Sequence, residues 1–392
     1  MIVETQKGVP ADTLIRRIRS FQDWGRQNGF DAVVVFGQGS ALGTATRSHG
    51  NLRYLLDWDA DAAASALVLP ADGKPSLVVA NIFAQMRGRE RSILADVRFG
   101  RGPSFANAVL ELLPADAKRV ALAGRDEIPL GIWEPLASLG AGGWIGCDAE
   151  LARRRAIKDG LQIEYHRKAA AVCDRLFDSL GPLLHAGLTV AGIQAELEKI
   201  GHQQGCEYCK TWLTVRPIAD RCRYLAEENT NLPRAGDQAL LGIMLTLRGH
   251  WGHAIRTGSL GSPGATAQKI FHVVEDMHKK MIESLRPGAD LNVVGRHGLV
   301  SDSLGPCFQF RGGHALGYSY EDPVGSAEFP QPYDPAAKAP SQSRTIQPGM
   351  LFEIHPNLFV KNVAGASIGD MVLVTEVGPE ILTRHPRQLL QY

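Results

Sequence analysis

The chain lacks an excess of charge of either sign. Its 392 residues carry 42 Lys and Arg against 41 Asp and Glu, a formal net charge of +1. Nucleic-acid-binding chains show a basic excess or a basic stripe, so this balance argues against nucleic acid as a partner. Long hydrophobic runs are missing too. No segment approaches the roughly 18 uninterrupted apolar residues of a membrane span, so no membrane association is expected. The opening MIVETQKGVPADTLIRRI has neither the apolar run nor the small-residue cleavage site of a signal peptide, which predicts a cytoplasmic chain. The six cysteines are then expected as reduced thiols. Cys206 and Cys209 form a C-x-x-C, but a zinc ribbon needs a second such pair, and a thioredoxin-type motif needs a strand before it and a helix after. Here a helix-like run precedes and the strand-like TWLTV follows, so the pair reads as structural. Internal repeats and low-complexity tracts are not apparent.

What is abundant is glycine (42) and proline (22), which implies many tight turns, on a 44% hydrophobic and 21% charged background that fits sizeable cores. The first half alternates apolar runs (residues 31–37, 65–70, 76–80 and 120–124) with helical periodicity over 11–29, 83–94 and 104–113. Such alternation predicts an α/β layer domain over 1–150. A Gly- and Ser-rich stretch after residue 37 is too long for a simple turn. Beyond 148 a long amphipathic helix is expected, then a second opened by Thr189, strands from 210, helices over 264–285 and 290–304, and strands and loops to the end. An uncovered loop is expected over 322–346.

In that second half the segments RRRAIKDGLQIEYHRKAAAVCD, GDQALLGIMLTLRGHWGHAIRTGSLG, GGHALGYSYEDP, QPGMLFEIHPNLFV and ASIGDMVLVTEVG follow one another in an order that resembles the creatinase, prolidase and aminopeptidase P superfamily. NLRYLLDW is similar to its N-terminal domain. The resemblance implies an α/β N-terminal domain over 1–150 and an α+β pita-bread (creatinase/aminopeptidase-like) domain over 151–392. It also implies a homodimer, in which loops such as those carrying His49 and Trp58 reach a neighbouring site.

Peptidases of this superfamily bind two metal ions through Asp, Asp, His, Glu and Glu. Matched position by position, the first Asp falls on Gly242, the second on His253, the His on His314, the Glu before Pro on His355 and the last Glu on Gly369. A two-ion carboxylate centre is not expected from that set. His253, His314 and His355 are instead expected to hold one divalent transition metal, zinc or iron, through neutral imidazoles. The alternative is no metal, with the histidines, His314 among them, acting as proton donors and acceptors as in creatinase. Glu353 stands two before His355 on an apparent strand and faces the same side, which makes it the first catalytic acid–base candidate. Glu321 is the second, standing where the peptidases place a proton-transferring His.

The run VRPIADRCRYLAEEN crowds Arg216, Asp220, Arg221, Arg223 and Tyr224 together. Arginine forks match carboxylates, so Arg221, Arg223 and Tyr224, with Trp58, are candidate contacts to a small, anionic substrate. His250 should lie on the strand face opposite His253, and Arg256 should make structural hydrogen bonds. The function expected from the altered ligand set is a non-peptidase enzyme. It would be a hydrolase or lyase cleaving a C–N, C–O or C–C bond in a small polar or aromatic molecule. The alternative is an inactive scaffolding protein.

Overall fold

A computed structural model describes residues 8–139, 143–300, 307–334, 336, 340 and 344–392. They divide into two compact units, one reaching to Arg155 and including Tyr318–Tyr320, the other comprising Ala156–Gly317 and Glu321–Tyr392.

The first unit centres on β1 (Ala32–Gly37), whose six residues are all buried. A continuous apolar strand of this kind is covered on both faces. It pairs antiparallel with β2 (Ser65–Pro70), which pairs antiparallel with β3 (Ser76–Val79). β4 (Asp96–Phe99), β5 (Val120–Ala123) and β6 (Trp144–Gly146) join parallel to their neighbours, in the order β4-β3-β2-β1-β5-β6. Helices α1 (Ala11–Gln27), α2 (His49–Leu56), α3 (Ile82–Arg91), α4 (Pro103–Leu110) and α5 (Leu130–Leu136) cover it, as an α/β layer requires. In α1, Leu14, Ile18 and Phe21 are buried as their spacing predicts, while Ile15 is exposed. The long Gly/Ser stretch contains a 3-10 turn at Ser40–Ala45 and then the start of α2.

The single helix expected after residue 148 is two: α6 (Asp148–Ala156) and α7 (Gly160–Leu184). Asp159 separates them, its side chain accepting from the Gln162 backbone while Gln162 reaches back, a reciprocal cap. Thr189 caps α8 (Val190–Gln203) by accepting from the Gly192 N–H, as expected. Leu176, Phe177 and Leu180 of α7 and Ile193 and Leu197 of α8 pack on a sheet of β7 (Tyr208–Arg216), β8 (Gln238–Leu247) and β9 (His250–Ser259). Helices α9 (Ala265–Ser284) and α10 (Leu291–His297) follow; the predicted continuation of α10 past 300 lies outside the described residues. So does part of the predicted 322–346 loop.

A second sheet runs β10-β11-β14-β15, with β10 at Gly313–Ala315, β11 at Leu351–Ile354, β14 at Asp370–Thr375 and β15 at Gly378–Ile381. Between β11 and β14 lies a ribbon, β12 (Asn357–Val360) and β13 (Ala364–Ser367). A short final strand, β16 (Leu390–Gln391), joins the β7–β8–β9 sheet beside β9. One backbone pair joins the two sheets: the Ile255 N–H donates to Gly369 O (3.1 Å) and the Gly369 N–H to Ile255 O (2.9 Å). Beneath it Arg256, fully buried, donates to Gly369 O (2.7 Å) and to Asp370 Oδ1 (2.8 Å), the structural role expected of it. This junction brings β9 and β11 close enough to share a site.

Candidate active site

His253 comes from β9, two residues before that junction. His314 on β10 lies directly opposite Glu353 on β11, so their side chains stand on one face as neighbours. His355 follows β11, its backbone N–H donating to Gly312 O (2.7 Å). All four side chains are buried. They converge on one oxygen: Glu353 Oε2 lies 2.6 Å from His253 Nδ1, 3.1 Å from His355 Nε2 and 3.3 Å from His314 Nε2. The three ring centroids are 5.3–5.7 Å apart. His314 Nδ1 is within 3.0 Å of Ala315 O, which fixes the tautomer with Nε2 toward the cluster.

Burial sets the charges here. It pushes His253 down to about 3 and His355 well below the usual imidazole value, so both are neutral, the form that can ligate a metal. The same burial pushes Glu353 up to about 7, against the opposing pull of His314. The short His253–Glu353 contact is therefore not an ion pair with a charged ring, and both Glu353 oxygens are buried without a hydrogen-bond partner among the described residues.

The two glycines at family ligand positions differ in what replaces the missing side chain. A Cβ built on Gly369 would lie 2.5 Å from Glu353 Oε1, so the Glu353 carboxylate occupies the space that a residue-369 side chain would fill. A Cβ built on Gly242 would fall inside the indole of Trp212, its direct partner across β7 and β8. One carboxylate has thus been supplied from another strand, and the other ligand's place is taken by a buried ring. Among the described residues, His253, His314 and Glu353 each offer a ligand atom within 4.8 Å of the others. That set fits one divalent ion; it does not fit two.

The sequence profile of metallopeptidase family M24 matches residues 164–376, more than half of the chain. The chain belongs to metallopeptidase family M24. It is similar to the probable dipeptidase PepE of Mycobacterium tuberculosis H37Rv, 27% identical over 341 residues, 83% of this chain and 85% of the relative. It is also similar to an uncharacterized peptidase of Staphylococcus haemolyticus, 28% identical over 61% of this chain and 66% of the relative. Its fold is that of the prolidase of Pyrococcus horikoshii OT3, with a TM-score of 0.79 at 18% identity over 96% of this chain and all of that one. The pita-bread fold and its α/β N-terminal domain, expected from the ordered motifs, are the architecture of this M24 chain.

The expectation of a non-peptidase enzyme is corrected. The relatives of this M24 chain are named as peptidases and dipeptidases, and the family supports the hydrolase part of the expectation. The physical reason for the error is visible at Gly369: counting ligands position by position scores a lost Glu and misses the Glu353 carboxylate that fills the same space.

Of the other predicted residues, Glu321 and Tyr224 lie near the cluster and the rest do not. Glu321 lies 3.3 Å from Arg311, and its charge is felt at His253. Trp58 is not presented to a substrate. It sits in the core of the first unit, its Nε1 donating to Ser65 Oγ (3.1 Å) beneath the Arg87 guanidinium. Tyr224 packs on Trp212 at 5.8 Å and feels the charge of Glu353. Arg221 and Arg223 line a cavity of about 670 Å³ that none of the imidazoles lines. His250 stacks on Tyr165 (4.9 Å) away from the cluster. Cys206 and Cys209 are buried free thiols with acidities suppressed by burial, consistent with a structural role. Sequence reasoning missed Trp212, which only strand pairing places on Gly242, and Phe310 and Arg311, whose nearness to the GGH motif was the available signal.

Proposed function

We propose that the chain hydrolyses an amide bond in a short peptide, at a centre holding one divalent ion through His253, His314 and Glu353. The observation that carries this reading is the convergence of those three ligand atoms in a pita-bread domain of the M24 family. Two imidazoles and a carboxylate with an open position are a known catalytic zinc set, which favours zinc. When bound, such an ion would supply positive charge to polarise the scissile carbonyl. The chain's own residues do the rest. Glu353, first expected as the acid–base group, lies among the imidazoles as a ligand. His355, neutral and beside it, is then placed to hold a water or a substrate group by a hydrogen bond at Nε2. Glu321, held by Arg311, is the group that carries the proton.

A centre with one ion departs from the two-ion peptidases that the resemblance brings to mind. The substrate is a small molecule, and a homodimer and a cytoplasmic location belong to the same proposal. Among the described residues no helix is long and apolar enough to cross a membrane.

The test is metal analysis of protein purified without chelator or His-tag, with a panel of dipeptides that includes Xaa-Pro. One equivalent of ion and turnover of at least one dipeptide are expected, both lost in His314→Ala. Two equivalents per chain, or no hydrolysis of any dipeptide with zinc, manganese or cobalt supplied, would overturn the reading.

A further inference from the structure

The sheet of the first unit ends at β4, and α3, which packs beside that edge, turns apolar side chains to solvent. Along α3 the exposed residues are Ile82, Phe83 and Met86, then Arg89, Glu90 and Arg91. Phe83 is 75% exposed and Met86 58%. Phe99, at the end of β4, adds to them: it is exposed, and it pairs with Val79, three residues before α3 begins. Single apolar residues at a surface are ordinary, but four on two adjoining elements make a patch of the kind that marks an interaction site. The helix that carries them is fixed. Asn81 caps it by accepting from the Phe83 N–H (2.8 Å), and Gln85 Nε2 donates to Val97 O of β4 (3.0 Å). Gly88 lies so close to the sheet that a Cβ would come within 2.9 Å of Val97 Cγ1.

The exposed stripe is complementary to itself. Met86 stands at its middle, with Phe83 three residues before it and Arg89 three after. Helical geometry puts Phe83 and Arg89 about 60° to opposite sides of the Met86 direction. In a two-fold contact, residue i of one copy meets j of the other and j meets i. Two copies of α3 lying antiparallel about an axis through Met86 therefore bring Met86 against Met86 and Phe83 against Arg89, twice. A guanidinium over an aromatic face is an attractive pair. Ile82 and Glu90, each four residues from Met86, meet in the same way at the rim. The side chains of Arg89 and Glu90 have no hydrogen-bond or ion-pair partner among the described residues, so neither has to leave one to make this contact.

We propose that a second copy of this chain docks on the α3 face of the first. Ile82, Phe83, Met86 and Phe99 form the apolar centre of the two-fold interface, and Arg89 lies over the partner's Phe83. This gives a surface to the homodimer of the functional proposal and rests on that part of it. A lipid surface fits the face less well, because Glu90 stands in the stripe among the apolar residues and anionic headgroups repel it.

The test is sedimentation velocity of the full-length protein over a micromolar concentration series, with circular dichroism to check folding. The variants are Met86→Glu, Phe83→Ala and Phe83→Tyr, with Leu130→Glu on α5 as the control; all three substituted positions are exposed. The wild type should be a dimer. Met86→Glu sets two carboxylates face to face on the axis and should be monomeric, while Leu130→Glu stays dimeric. Phe83→Ala should weaken dimerisation by about tenfold or more, as loss of a central aromatic does, and Phe83→Tyr, which keeps the ring, should remain within about threefold of the wild type. A dimer that survives Met86→Glu and Phe83→Ala with wild-type affinity would overturn the α3 face and leave the homodimer standing. A monomeric wild type would overturn both, and its sedimentation with anionic phosphatidylserine vesicles would assign the face to lipid instead.

Discussion

At Gly369 the side chain is absent but its chemistry is not, because Glu353 reaches the same space from the adjacent strand. If that carboxylate is a ligand, Glu353→Gln should lower ion content from about one equivalent by at least the ten- to hundredfold affinity loss typical of even outer-shell changes. Far-UV circular dichroism should be unchanged. Full metal content in this variant, measured by mass spectrometry, would assign Glu353 elsewhere. Gly242 is the opposite case. Restoring the family's acid as Gly242→Asp drives a side chain into the buried Trp212 ring, and overpacking of this kind costs about 1–3 kcal/mol. A lower urea midpoint with no second ion is the expected result. A stable Gly242→Asp protein with two ions would show that the indole yields.

Elements are positioned by contacts at their ends. The 25-residue α7 begins where Asp159 accepts the Gln162 N–H at 3.0 Å. Asp159→Ala should cost about 1 kcal/mol, the usual value of an N-cap, read as a shift in chemical-denaturation midpoint with the metal content unaltered. The sequence periodicity indicated helix on both sides of this residue, and only the cap shows why there are two helices. Short elements were illegible for a different reason. β6 has three residues, and β4, Asp-Val-Arg-Phe, lacks the continuous apolar run that marks the equally short β3 and β5, so their neighbours in the sheet hold them. The pairing of His314 with Glu353 was equally hidden, since the two are far apart in the chain and meet only through strand register.

Across the molecule, burial of imidazoles sets the response to acid. His49 is pushed down to about 4 and His253 to about 3, and His166 and His355 lie well below the ordinary value, all chiefly through burial. Below pH 6.5 the unfolded chain therefore binds more protons than the folded one, and stability falls as pH falls. Each such imidazole contributes a slope of up to about 1.4 kcal/mol per pH unit. Glu353, raised to about 7, acts in the opposite sense: it favours the folded state below its unfolded value of 4.5, and that contribution is lost as pH rises through about 7. Asp370 is held far below the usual carboxylate range, with the Arg256 charge opposing burial, so its contribution is lost only below about 3.8. The urea midpoint of ion-free protein should therefore drop steadily from pH 7 to pH 4.5. A flat or rising midpoint would contradict this account.

Local pattern carried much of the architecture. Helical stripes, all-apolar strands and cap residues act on near neighbours, so the α/β character of the first unit and most of its long elements were readable in the linear chain. The ordered motifs also located His253, His314, Glu353 and His355 before any fold was in view. Folding alone decided what those residues amount to. The carboxylate that takes up the space at Gly369 comes from β11, and the ring that closes Gly242 comes from the opposite residue of β7. Both are contacts across strands. Residue identity at an aligned position says which side chain is there, whereas occupancy of a small buried volume depends on which strands the fold brings to it.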